Sequence, residues 1–296
     1  FSRVKEISID KLEKSSAKIV FLGFSCDEGI RRNFGRQGAK KGPKKVREAL
    51  RVLAVHLNEE ISFADIGDII CDGDKLEEAQ EILAQAVSRI RSLGKIPFIL
   101  GGGHETAWGH FLGLKEDLIN ASLGVINFDA HFDLRLSDEK NPPSSGTPFY
   151  QASKLCEDLG KKFHYSVIGI EDFSNTKVLF EKAKELDALV IKRKDIELGS
   201  HDYLKEKLNE FCDRRQKIYL SICLDVFSSS VAPGVSAPNP LGLVPKVFFR
   251  FLDEVLKTGK VIAVDLVELS PRYDIDGRTA KLAAFLVNSI CHKLLA

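Results

Sequence analysis

Apolar positions along this chain fall into two alternating rhythms. Short, nearly continuous apolar runs at 18–24, 96–100, 123–129, 165–170, 188–191, 218–224 and 261–266 predict buried strands, and 61–66 predicts a further short one. Between them apolar residues recur every three or four positions. Leu76, Ala79, Ile82, Leu83, Ala86 and Ile90 stripe one face of a helix over 75–93. The same spacing predicts helices over 42–55, with Pro43 suited to a first helical position, and then up to about 114 and over 176–186, 203–211, 245–256 and 277–294. Strands that alternate with helices imply an α/β fold whose mostly parallel central sheet is covered on both faces.

Between the periodic segments lie three polar stretches. Residues 27–38 are dense in Gly and Arg, 134–148 are rich in Pro and Ser, and 228–240 mix Ser, Pro and Gly; all three read as loops. Neither an internal repeat nor a low-complexity tract breaks the pattern, so residues 1–296 read as one domain.

Several apolar runs end in residues that suit neither a core nor an ordinary turn. Asn127-Phe-Asp-Ala-His-Phe-Asp133 closes one of them, with Asp129, His131 and Asp133 alternating. On an extended chain these three side chains leave from one face, which suits a divalent metal. Extension would hold the outer pair about 13 Å apart, whereas paired metals stand roughly 3.5–4 Å apart. The chain must therefore curl after Asp129 if all three serve one site. His104 follows Gly101-Gly-Gly103 at the end of 96–100, Cys223 and Asp225 close 218–224, and Glu268 follows 261–266. In a parallel α/β sheet the loops past the carboxyl ends of the strands form the ligand crevice, so these four polar insertions converge on one edge.

Composition narrows the partners. Lys+Arg 43 against Asp+Glu 42 leaves a formal net charge of +1, which gives no basis for nucleic acid or an anionic membrane as partner. With 44% hydrophobic residues and no apolar run of spanning length, the sequence reads as an ordinary globular chain. Cys26, Cys71, Cys156, Cys212, Cys223 and Cys291 are scattered without a C-x-x-C pair and read as reduced thiols of a cytoplasmic protein.

Taken as a set, Gly102-Gly-His104, Asp129-Ala-His-Phe-Asp133, Ser221-Ile-Cys-Leu-Asp225 and Val267-Glu-Leu-Ser-Pro271 resemble the four motifs of the arginase/agmatinase (ureohydrolase) family, in family order and over nearly the whole chain. The resemblance implies a three-layer α/β/α domain with a cluster of two Mn2+ ions. It carries the six usual ligands to His104, Asp129, His131, Asp133, Cys223 and Asp225. Two positions depart from the common pattern. Cys223 stands where an Asp usually bridges the metals, and a thiolate is a softer donor than manganese prefers. Ser145, within Ser144-Ser-Gly-Thr-Pro-Phe149, stands where arginases and agmatinases carry a His, and a hydroxyl cannot replace an imidazole as an acid near neutral pH.

Both departures, with Asp27-Glu-Gly-Ile-Arg-Arg-Asn33, Gly35-Arg-Gln-Gly-Ala39, Asp172-Phe-Ser-Asn175 and Ala232-Pro-Gly-Val-Ser-Ala-Pro238, are most similar to the branch of the family that hydrolyses N-formimidoyl-L-glutamate to L-glutamate and formamide in histidine degradation. For such a substrate, Glu268 is expected to accept from the amidinium and Arg135 to meet a carboxylate beside Ser145, with Arg31, Arg32 and Arg36 as further cations. Asp133 would carry the proton to the departing amine. Other expectations remain open at this stage: a ureohydrolase acting on agmatine, arginine or a guanidino acid, or a non-catalytic binding protein that kept the fold. The resemblance also implies a small-molecule partner and is compatible with a homo-oligomer.

Overall fold

The computed structural model describes residues 4–57 and 63–295. Among these, nine strands form one sheet: β1 (Val4–Glu6), β2 (Ile19–Ser25), β3 (Phe63–Ile70), β4 (Ile96–Leu100), β5 (Leu123–Phe128), β6 (His164–Ile170), β7 (Leu189–Lys192), β8 (Lys217–Cys223) and β9 (Val261–Val267). Their order is β1-β3-β2-β4-β9-β8-β5-β6-β7, and every neighbouring pair is parallel. All carboxyl ends therefore open on one edge. The four strands that carry the polar insertions, β4, β9, β8 and β5, are consecutive neighbours at the centre of the sheet.

Because side chains alternate across a strand, each strand serves two cores. Phe98, Leu100, Ile126, Phe128, Leu220, Ile222, Val264 and Leu266 pack on one face against the helices Gly42–Leu50, Pro245–Lys257 and Arg278–Leu295. Ile99, Val125, Tyr219 and Ala263 pack on the other against Leu76–Ser92, Thr106–Gly113 and Pro148–Asp158. The result is a helix/sheet/helix sandwich of the expected arginase-like class. Behind the end of β5, the Phe248 ring lies 4.6 Å from Phe128 and 4.8 Å from Phe227, which anchors the two central strand ends by burial worth roughly 1.5–3 kcal/mol per ring.

The differences from expectation are local. Ile61 and Ser62 of the expected strand at 61–66 lie outside the described residues, and β3 continues to Ile70. The helix expected over 42–55 stops at Leu50. Glu28–Arg32, expected as loop, is a short helix, because Glu28 accepts from both Arg31 and Arg32 one turn on. Pro148–Asp158 is a helix with Pro in its first turn and Phe149, Ala152 and Cys156 buried. Val4–Glu6 and Arg193–Leu198 were too short for periodicity to register.

Candidate metal centre

Each polar insertion is delivered by a strand end and then bent into place. At β4 the chain turns through Gly101-Gly-Gly103, where a side chain on Gly102 would put its Cβ 1.7 Å from the Cys26 carbonyl oxygen. Only glycine admits that crossing. The loop hands His104 to the cavity and ties it to β9, since the His104 backbone N–H donates to Glu268 Oε1 (2.8 Å) and the Glu268 N–H donates to the Gly102 carbonyl (2.7 Å).

Past β5 the chain leaves the strand at Phe128 and curls, as three donors on one site require. Asp129 Oδ1 accepts the His131 backbone N–H at 2.7 Å. Asn175, from the loop after β6, clamps the curl by accepting from the Phe132 N–H and donating to the Ala130 carbonyl. Asp133 sits in the left-handed region at φ +49. Glu268 (φ +74) and Phe34 (φ +60) share that conformation, so three of the five such non-glycine residues among those described line one cavity. Each costs on the order of 1 kcal/mol that the surroundings must over-determine.

The curl brings sequence-distant donors together. His104 Nδ1 lies 2.9 Å from Asp129 Oδ2 and 2.7 Å from Asp133 Oδ2. His131 Nδ1 lies 3.3 Å from both Asp129 Oδ1 and Asp225 Oδ2. Two donor groups result, His104/Asp129/Cys223 and Asp129/His131/Asp225, each with its ligand atoms within 4.8 Å of one another. Asp129 belongs to both, and Asp133 joins the first through His104. All six side chains predicted as ligands thus meet at one place. Except for Asp129, they line a cavity of about 320 Å³ together with Glu268, Arg135 and Ser145.

The electrostatics of this set call for cations. Burial pushes Asp133 and Asp225 above the usual carboxylate range, and the nearby Asp129 charge adds to it. Burial followed by the Asp225 charge lifts Glu268 to about 7. The buried Cys223 thiol, facing Asp129 and Asp225, is also held well up. Burial opposes charge on His104 and His131, yet their carboxylate neighbours push both imidazoles well above their ordinary value. Asp129 alone is held low, because hydrogen bonds from the two imidazoles outweigh its burial. Asp225 Oδ1 and Glu268 Oε2 are buried without a hydrogen-bond partner. Imidazole and carboxylate donors aimed at a common point, with orphaned lone pairs, fit divalent metal ions.

The wall above this floor is built from loops. The Arg135 backbone N–H donates to the Gly146 carbonyl at 2.9 Å, and the Arg135 stem lies over Gly146, where an added Cβ would come 2.8 Å from its Cδ. Ser145 Oγ accepts from Asn33 Nδ2 at 3.2 Å. Arg31 and Arg32, expected as further cations, are instead committed to Glu28, and Arg32 also to Glu77. Arg36 does reach the wall, but it donates to the carbonyls of Val235 and Ser236 and stacks on Tyr273.

Sequence reasoning quoted Asn33, Asn175 and Ser236 only within segments that resemble the family branch and gave none of them a role; all three line the same cavity. It passed over Asp265, a wholly buried carboxylate inside β9 whose signal was its charge in an apolar run.

The chain resembles known proteins over nearly its whole length. Residues 17–292 match the family model described as Arginase family. The formimidoylglutamase of Clostridium tetani is 42% identical over 295 residues, covering 97% of this chain and 87% of that protein. The formimidoylglutamase of Geobacillus thermodenitrificans is 43% identical over 283 residues, covering 95% and 85%. Among solved structures, Trypanosoma cruzi formiminoglutamase with Mn2+ superimposes with a TM-score of 0.84 at 26% identity, covering 99% of both chains.

Proposed function

We propose that this chain, which belongs to the arginase family, is a hydrolase of linear amidine C–N bonds that converts N-formimidoyl-L-glutamate and water to L-glutamate and formamide. The observation that carries the reading is a cavity polarised from end to end. Its floor presents Asp133, Asp225 and Glu268, with Asp129 buried beneath them, while its wall presents Arg135. A substrate with a cationic formimino group at one end and carboxylates at the other has the matching polarity.

His104, Asp129, His131, Asp133, Cys223 and Asp225 would hold two Mn2+ ions, which would supply hydroxide near neutral pH by lowering the pKa of water. Glu268, anchored through Oε1 on the His104 N–H, has Oε2 free to accept from the amidinium and so orients the formimino carbon above the floor. Arg135, with its stem laid over Gly146, is placed to take a substrate carboxylate. Ser145, held by Asn33, offers a hydroxyl beside it and no proton that titrates near neutral pH. As oxygen adds to the formimino carbon and its bond to the glutamate nitrogen breaks, one proton must reach that nitrogen. The Asp133 carboxylate, which lines the cavity beside His104, is placed to carry it.

The test is an assay with N-formimidoyl-L-glutamate, agmatine and arginine in added Mn2+, reading formamide and urea separately. Formamide from the first substrate is expected, with loss on chelation and return on readdition of Mn2+. Urea from the guanidino compounds without formamide would overturn the assignment in favour of another ureohydrolase.

A further inference from the structure

Behind His104, on the side away from the cavity, a chain of buried polar side chains runs into the sheet. His104 Nε2 lies 2.9 Å from Ser221 Oγ on β8. Ser221 Oγ donates to Asp265 Oδ1 on β9 at 2.6 Å. The other oxygen, Asp265 Oδ2, accepts from the Tyr219 hydroxyl and lies 2.8 Å from His110 Nδ1. All five side chains are buried, and Ser221, Asp265, Tyr219 and His110 are wholly so.

The direction of this chain is fixed by counting donors. An ionised carboxylate only accepts, and Asp265 faces three side chains able to donate to it. The Ser221 proton is therefore spent on Asp265, which leaves the Ser221 oxygen to accept from His104. His104 therefore donates its Nε2 proton to Ser221, which leaves Nδ1, beside Asp129 and Asp133, as the nitrogen open to a cation that displaces its proton. A histidine that ligates a metal through one nitrogen needs this tautomer, and a hydrogen bond on its other nitrogen is what sets it.

We propose that Asp265 is a positioning residue for the metal centre, acting through Ser221 to hold His104 as the Nε2–H tautomer with Nδ1 open to a cation. The inference rests on the reading of His104 as a metal donor. It assigns a function to a buried charge that touches neither the substrate nor the donor atoms. It also explains the choice of an acid at this place in β9. In Asp265→Asn the amide oxygen stays toward Tyr219 and His110, the side with two donors, so its NH2 faces Ser221 and donates. The Ser221 proton then turns to His104 Nε2, the ring proton moves to Nδ1, and the donor becomes blocked. In Ser221→Ala the link is cut and the tautomer is left unset.

The experiment is titration of metal-free protein with Mn2+ by calorimetry or chelator competition, for wild type, Asp265→Asn, Ser221→Ala and His104→Ala. The metal-free melting temperature of each is measured alongside. Both network variants are expected to bind Mn2+ about 10–100-fold more weakly, with Asp265→Asn the weaker binder. If both bind within about twofold of wild type while His104→Ala is impaired, the network serves packing alone and the proposal is overturned, whatever their melting temperatures. Unimpaired binding by His104→Ala would instead overturn the reading of the site. Should Asp265→Asn fail to fold, Ser221→Ala decides, and unchanged affinity there overturns the proposal.

Discussion

The floor of the cavity and its wall present polar groups in opposite ways. On the floor His104, Asp129, Cys223 and Glu268 sit at or just past the ends of four adjacent strands and are almost completely buried; backbone N–H groups tie the His104 and Glu268 motifs to each other and fix the curl after Asp129. On the wall Arg135, Ser145 and Phe34 stand on irregular segments, and Phe34 is 99% exposed. Strand ends in a packed sheet fix donor positions to the tolerance that metal and amidine chemistry need, whereas loops can change from one relative to another without disturbing the core. The difference suggests that reaction type resides in the floor and substrate choice in the wall.

Substitutions can break that division. The largest effect is expected at Asp129, the donor common to both groups: Asp129→Ala should remove bound metal and lower kcat/KM by about 10³-fold or more, roughly 4 kcal/mol. Metal content by mass spectrometry checks it, and full metal content with full activity would place the chemistry elsewhere. Glu268→Gln should keep the metal yet cost about 10²-fold, in line with loss of a charge-assisted hydrogen bond of roughly 1.5–3 kcal/mol. Paired metal and rate measurements separate it from a ligand.

On the wall, Arg135→Ala should raise KM about 10-fold, roughly 1.4 kcal/mol, with little change in kcat. A fall in kcat alone would mean that Arg135 belongs with the floor. The smallest effect on turnover is expected at Glu105, buried behind the floor and accepting from the Gly29 N–H. Burial, then the Glu268 charge, raises this carboxyl to about 8. The folded protein thus keeps a proton that the unfolded chain, with an ordinary glutamate, releases above about pH 4.3. Stability from this group is full below that pH, falls as pH rises toward 8 and is flat beyond. Glu105→Gln should remove that part of the slope, which urea unfolding across the window would show.

Much of the floor was legible because its signals are local. A polar insertion at the end of an apolar run, repeated four times, points to one edge of a parallel sheet, and the alternation of Asp129, His131 and Asp133 requires the curl that Asn175 holds. Legibility failed where partners come from afar. Arg32 reads as a cation near the site, but Glu77, 45 residues on, takes it. Thr147-Pro148 did mark a helix start, yet the preceding loop drew attention from it. The adjacency of β4, β9, β8 and β5 depends on crossovers that no periodicity encodes. Asp265 was visible only as a blemish in β9 until its partners Ser221, Tyr219 and His110 came into place.

The left-handed backbone at Asp133 and Glu268 bears on any attempt to engineer this protein. Glycine would relax both torsions, so a screen that rewards only heat resistance would favour Asp133→Gly and Glu268→Gly. It would thereby delete the side chains assigned here to proton transfer and amidinium binding. Hardening campaigns should hold these two positions constant and seek their gains at Asp187 and Asp276, which share the conformation away from the cavity.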